Sequence, residues 1–163
     1  MRLSTMGRYA LRAMVDLAMQ KSQSPILRKE IAERQEISSN YLAQLFLKLK
    51  RAGLVQSVLG PGGGYVLAKS ASEISAGDVL RAVQEPLAPV YCVDSEHEDT
   101  CHRADGCPTR VLWTKLGRQI TQTLDATTLA DLCEQPPRIL DEGSGLEGGQ
   151  ATQSTGHRFA GTD

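Results

Sequence analysis

The chain has 163 residues, 40% hydrophobic and 23% charged, with a formal net charge of −1. That is the length of one domain with an appendage and the composition of an ordinary globular protein, which excludes a wholly disordered or collagen-like chain. No apolar run approaches the ~18 residues of a membrane span, and the basic start lacks the apolar stretch of a secretion signal, so a cytoplasmic protein with reduced cysteines is expected.

Four helical patterns occupy the first 83 residues. Ser4 or Thr5 caps the first, whose inward face is Ala10, Met14, Leu17 and Ala18. An extended piece at 25–27 follows, then a two-turn helix over 28–35 with Ile31 and Ala32 inward. Ser38 caps a helix over 38–52, built on Leu42, Leu45, Phe46 and Leu49 and stopped by Gly53. Strands over 54–59 and 65–68, joined by Gly-Pro-Gly-Gly-Gly, read as a hairpin. Ser75 caps a short helix through Val79, Leu80 and Val83. A long loop leads to a helix from about Pro108, with the stripe Val111, Leu112, Leu116, Ile120 and Leu124 and with Trp113. Cys133 falls in a last short helix after Thr127 or Thr128 and reads as a small buried apolar residue. From Pro136 and Pro137 onward the chain is Gly-rich and poor in large apolar residues, so 136–163 is expected to be a disordered tail. The expected division is 1–83, 84–108, 109–135 and 136–163.

The near-zero net charge hides an asymmetry. Residues 1–83 carry 12 Lys or Arg against 6 Asp or Glu, and residues 84–163 carry 6 against 13. A basic half invites a polyanion, and the acidic remainder limits indiscriminate binding. Helix, short helix, turn, helix and hairpin is the order of a winged helix-turn-helix, so the fold is expected to be mainly α with a small β-wing and a long dimerisation helix. The helix from Ser38 is then the recognition helix, with its N-terminal residues at the base edges. Ser38, Asn40, Tyr41, Ala43 and Gln44 are the candidate base readers: the amides of Asn40 and Gln44 match adenine, and Ala43 suits a thymine methyl. Arg2, Arg8, Arg28, Lys29, Lys48, Lys50 and Arg51 are candidates for the phosphate backbone, as are the wing glycines Gly62 and Gly63 through their N–H groups. The glycine run is not a P-loop, because a strand rather than Lys-Ser/Thr and a helix follows it. Leu59, before the tip, offers no cation to a minor groove.

The loop of 84–108 holds Cys92, Cys101 and Cys107, with His97, His102 and several carboxylates. A loop this long needs an organiser. Thiolates select soft metals, so an iron–sulfur cluster or zinc are both open, and the spacing matches no paired zinc-finger pattern. No nucleophile–base set points to an enzyme. An exposed apolar stripe on the helix after the loop is expected to pair two copies.

The stretches 1–10 (Met-Arg-Leu-Ser-Thr-Met-Gly-Arg-Tyr-Ala), 37–46 (Ile-Ser-Ser-Asn-Tyr-Leu-Ala-Gln-Leu-Phe), 53–55 (Gly-Leu-Val) and 60–67 (Gly-Pro-Gly-Gly-Gly-Tyr-Val-Leu), with the three-cysteine loop before Val111-Leu-Trp, resemble the IscR-type iron–sulfur regulators. They also resemble the related NsrR-type nitric-oxide sensors and RirA-type iron regulators. The resemblance spans about residues 1–135. It implies a homodimeric winged-helix transcription factor whose affinity for a double-stranded operator follows a cluster bound through Cys92, Cys101 and Cys107. The cluster is 2Fe–2S by resemblance, with 4Fe–4S the other form, and an assembly scaffold is a candidate partner. Two positions depart from the relatives. The histidine of IscR-type proteins three residues after the last cysteine is Arg110 here, and the N-terminal aspartate of NsrR-type proteins is Arg8. The fourth ligand is therefore open, with His102 or His97 as candidates. The rival readings are a zinc-bound or metal-free winged-helix repressor governed by a protein partner or thiol oxidation, and a small iron–sulfur redox protein.

Overall fold

A computed structural model of the chain describes residues 3–20, 24–94, 101–103 and 106–134. Arg2, His97 and the segment 136–163 lie outside the described residues. The elements run α1 (Thr5–Met19), α2 (Arg28–Gln35), α3 (Ser39–Arg51), β1 (Val55–Val58), β2 (Gly64–Leu67), α4 (Ala76–Ala82), α5 (Arg110–Ala126) and α6 (Leu129–Glu134). Single 3-10 turns at Ala71–Glu73 and Tyr91–Val93 flank α4.

Local chemistry sets the helix ends. The Ser4 hydroxyl accepts the Gly7 N–H at 3.0 Å and starts α1, and the Ser38 hydroxyl accepts the Tyr41 N–H at 3.3 Å and starts α3. Gly53, at φ 70°, takes the left-handed conformation that ends α3, and Lys48, Lys50 and Arg51 lie in its last turn, where cations suit the helix dipole. α2 ends on Glu36 at φ 55°, whose N–H returns to the Ala32 and Glu33 carbonyls.

The core is one cluster. Ala10, Ala13 and Met14 of α1, Ile31 of α2, Leu42, Phe46 and Leu49 of α3 and Val79 of α4 are wholly buried in it. β1 and β2 form an antiparallel pair in which Val55 faces Leu67 and Val58 faces Gly64. Ile26 adds a bridge on the far side of β2: its N–H donates to the Tyr65 carbonyl at 3.0 Å, and the Tyr65 N–H donates back at 2.8 Å. The Phe46 and Tyr65 rings meet at 4.3 Å, which joins the wing to α3.

Each strand is shorter or shifted by a residue relative to the sequence expectation, because Leu59 already belongs to the tip turn and Gly64 already pairs with Val58. The long helix begins at Arg110, not Pro108. A larger difference concerns α6. Leu129 is wholly buried in the core of the N-terminal half, and its N–H donates to the Ile74 carbonyl at 2.9 Å. Leu129 and Leu132, on a helix of under two turns, have no apolar surface of their own to cover them, so they borrow the flank of α1. The N-terminal core therefore draws on chain from both sides of the cysteine segment.

α5 leans on the core through its C-terminal end. The Arg81 guanidinium bonds Asp125 at 2.7 Å, and Pro89 packs against Gly117. None of its residues is buried, and Val111, Leu112 and Leu116 are exposed.

Candidate DNA interface and cysteine site

On α3, Asn40 and Gln44 are exposed and one turn apart, followed on the same stripe by Leu47 and Arg51, also exposed. Leu47 is half exposed, at 50%, and was not among the expected readers; an apolar residue at i+3 from Gln44 was the available sign. Ser38 is exposed with its hydroxyl oxygen already accepting the Tyr41 N–H, and Ala43 is half-buried. The Tyr41 ring is half-buried and meets Tyr9 edge-on at 5.8 Å, with Arg12 over the other ring, so it braces α3 against α1.

The cations divide. Lys29 and Arg51 are exposed, Lys29 3.7 Å from Glu33; Arg8 is exposed beside the Thr5 hydroxyl. Arg28 donates to the Ser39 hydroxyl at 3.2 Å, at the start of α3. Lys50 donates to Ser57 Oγ at 2.6 Å, tying α3 to β1. Lys48, a candidate for phosphate, is engaged within the chain: its ammonium donates to Gln84 Oε1 at 3.1 Å and the Val83 carbonyl at 3.4 Å, at the C-terminal end of α4. The partial negative charge at the end of α4 favours a cation there. At the wing, Gly62 is exposed, but the Gly63 N–H donates to the Gly60 carbonyl at 2.9 Å and Gly63 is buried. Its N–H closes the tip turn and is not free for phosphate.

The three loop cysteines are half-buried free thiols. Cys92 lies in the Tyr91–Val93 turn. Electrostatic interaction with Cys101, above all, pushes the ionisation of Tyr91 up, and burial, the hydrogen bond with Cys101 and the nearby Cys92 add to it. Cys101 therefore lies beside the Tyr91 hydroxyl. Cys107 Sγ lies 3.2 Å from Thr109 Oγ1, at the entrance to α5, and that hydrogen bond, with Arg103 nearby, holds the thiol below its usual range. His102 is exposed. Among the described residues, no three His, Cys, Asp or Glu side chains stand close enough to hold a metal ion. The donor chemistry itself fits an iron–sulfur cluster: three soft sulfurs, none in a disulfide, one biased to thiolate. Cys133 differs: it is half-buried near the Val15 carbonyl, and burial pushes its thiol up.

A family model described as an iron-dependent transcriptional regulator, Rrf2, matches residues 3–135. The chain belongs to the Rrf2 family. It is 46% identical over 132 residues to the HTH-type transcriptional regulator IscR of Serratia proteamaculans (strain 568), covering 81% of this chain and 79% of that protein. It is 41% identical over 155 residues to IscR of Enterobacter sp. (strain 638), covering 95% and 92%. Among solved structures, it resembles CymR, the global cysteine regulator of B. subtilis, with TM-score 0.67, 38% identity and coverage of 82% and 96%. It also resembles T. potens IscR, with TM-score 0.66, 39% identity and coverage of 81% and 85%. The Rrf2 assignment makes the chain a DNA-binding transcriptional regulator of winged-helix fold. No helix among the described residues is long and apolar enough to cross a membrane.

Two buried acids of this Rrf2 regulator escaped the sequence reading. Asp16 is buried and takes the Arg34 guanidinium at 2.6 Å and the Gln35 amide at 2.8 Å, locking α2 onto α1. Its sign was an acid three residues after inward-facing Ala13. Glu85 is buried where the chain leaves α4, and it accepts the Ser4 N–H at 2.7 Å. Nothing local in sequence marks it.

Proposed function

We propose that this regulator is a homodimer that binds a double-stranded operator through α3 and the wing, and that an iron–sulfur cluster on Cys92, Cys101 and Cys107 sets its operator affinity. The observation that carries this reading is the grip on the chain between α4 and the cysteines. Lys48 of α3 holds Val83 and Gln84, and Ser4 at the start of α1 holds Glu85. Cys92 lies seven residues beyond Glu85, and Cys107 three before Arg110. The thiols thus straddle the connection between the DNA-binding core and α5.

The residues divide the work. Asn40 and Gln44 read base edges, and Lys29, Arg51 and Arg8 approach phosphates. The exposed Val111, Leu112 and Leu116 face a second copy, which fixes the spacing of the two α3 helices. Thr109 and Arg103 favour the thiolate of Cys107 as a ligand. When bound, the cluster supplies a covalent cross-link among the thiolates and sensitivity to iron and oxidants. A shift of the cysteine segment is felt by α3 through Lys48 and by α1 through Glu85. Such a ligand moves the equilibrium only as far as its affinity differs between the two arrangements. We infer the 2Fe–2S form, a fourth ligand from His102 or His97, and action in the cytoplasm.

The test is anaerobic purification of the full chain, with visible absorption, iron and acid-labile sulfide measured on one sample. A coloured protein with matching iron and sulfide, whose operator affinity changes on cluster loss, is expected. Cys92→Ala should abolish both the colour and the change. Unchanged iron content and affinity in Cys92→Ala would overturn the reading.

A further inference from the structure

Leu59 stands at the tip of the wing with 93% of its surface exposed, the highest value among the exposed large hydrophobic residues described. Val58 beside it is 42% exposed. Such a leucine contributes nothing to the core and carries an apolar surface into water.

The tip beside it is a closed turn. The Gly60 carbonyl accepts the Gly63 N–H at 2.9 Å across Pro61 and Gly62. Gly62 has φ 75°, the value a type II turn needs after proline. A Cβ on Gly63 would lie 2.4 Å from the Val58 carbonyl oxygen and one on Gly64 2.3 Å from that of Ile26, so both positions are closed to side chains. The turn sets the backbone beside Leu59 before any partner arrives, which lowers the backbone ordering cost of binding.

The wing also lacks charge. From Ala52 to Ala68 the sequence contains no Lys, Arg, Asp or Glu. A hairpin without cations cannot ion-pair with phosphates, and its contribution to DNA binding must come from backbone and apolar contact. Apolar side chains inserted between base pairs from the minor groove partly unstack them, and pyrimidine–purine steps yield most easily.

We propose that Leu59 is an apolar wedge that enters the minor groove beside the α3 half-site and selects operators by a deformable base step there. The proposal rests on the winged-helix reading of DNA binding. Leu59 adds specificity at a position that no polar side chain of the wing reads, and it adds no salt dependence.

The experiment is in vitro selection from a randomised duplex pool with the full chain, its Leu59→Ala variant and its Leu59→Arg variant. The wild-type chain should enrich a pyrimidine–purine step at one fixed distance from the bases read by α3. Leu59→Ala should keep those α3 bases, lose the step, and bind the wild-type duplex about tenfold more weakly, the scale of losing most of one leucine burial. Its salt slope should not change, whereas Leu59→Arg should steepen the slope by about one and favour narrow A-tracts. A 2-aminopurine at the step should brighten with the wild-type chain and stay dark with Leu59→Ala. Equal motif, affinity and 2-aminopurine signal in Leu59→Ala would overturn the wedge while leaving DNA binding by α3 intact. A wild-type chain that enriches no duplex would overturn the DNA-binding arrangement with it.

Discussion

The Glu85 carboxylate closes on the first turn of α1, taking the Ser4 N–H at 2.7 Å with one oxygen and the Ser4 hydroxyl with the other. Gly7 leaves the room: a Cβ there would lie 2.8 Å from Glu85 Oε2 and 3.1 Å from Leu80 Cδ2. Glu85→Ala strips the part-buried Ser4 N–H and hydroxyl of their charged acceptor and is expected to cost about 1–3 kcal/mol, read by denaturant unfolding. Gly7→Ala should also destabilise, because the acid and Leu80 must give way together. If the clasp couples the cysteine segment to α1, Glu85→Ala should further shrink the difference in operator affinity between cluster-loaded and cluster-free protein.

Arg34 and Asp16 make an ion pair at 2.6 Å between α2 and α1, with Asp16 only 5% exposed. Arg34→Ala leaves that carboxylate buried without its charge partner. A loss of about 1–3 kcal/mol is expected, less than for a fully buried pair because Arg34 itself is partly exposed. The double variant with Asp16→Asn should recover part of the loss. Strict additivity in unfolding experiments would show that the pair contributes no coupling.

Gln44→Ala is expected to lose about 1–3 kcal/mol on the operator and little on random DNA. Lys48→Ala should behave differently. Its ammonium is engaged at Val83 and Gln84, so its loss should leave the salt slope of binding almost unchanged. Salt titrations of the two variants separate the roles; a slope reduced by about one in Lys48→Ala would return that residue to the phosphates.

Acid should unfasten two helix starts. The Thr128 N–H, then its hydroxyl, holds the Asp131 carboxyl below its usual range. For Asp78, burial works against ionisation, but the Ser75 N–H and hydroxyl and Arg81 outweigh it, so its carboxyl is also held low. Folded values below unfolded ones mean stability that is present above the unfolded value of about 4 and lost as pH falls through the folded value. Asp131→Asn and Asp78→Asn should each melt below the wild type near neutrality and approach it at about pH 3. A gap of constant size across that range would contradict the assignment.

In the proposed homodimer, α5 meets a second copy through Val111, Leu112 and Leu116, of which Val111 is 75% and Leu112 56% exposed. Leu112→Glu should shift the chain from dimer to monomer in sedimentation and weaken operator binding while leaving the melting of the core nearly unchanged. An unaltered dimer would place the contact elsewhere.

The sequence alone determined the elements and the kind of surface they build. Ser4, Ser38 and Gly53 mark helix ends by chemistry that acts within four residues, and Leu42, Leu45, Phe46 and Leu49 mark a face by period. The basic half, the uncharged wing and the three cysteines between wing and α5 are visible as composition and order, which no folding changes. Tertiary structure decided what long-range partners do. It engaged Lys48 at the end of α4, spent the Gly63 N–H on the turn, and folded Leu129 into a core begun at α1. It also paired Glu85 with Ser4 across 81 residues. Burial of a charge follows from which groups meet in space, and a lone acid at a helix exit carries no periodic or local sign of the partner that will receive it.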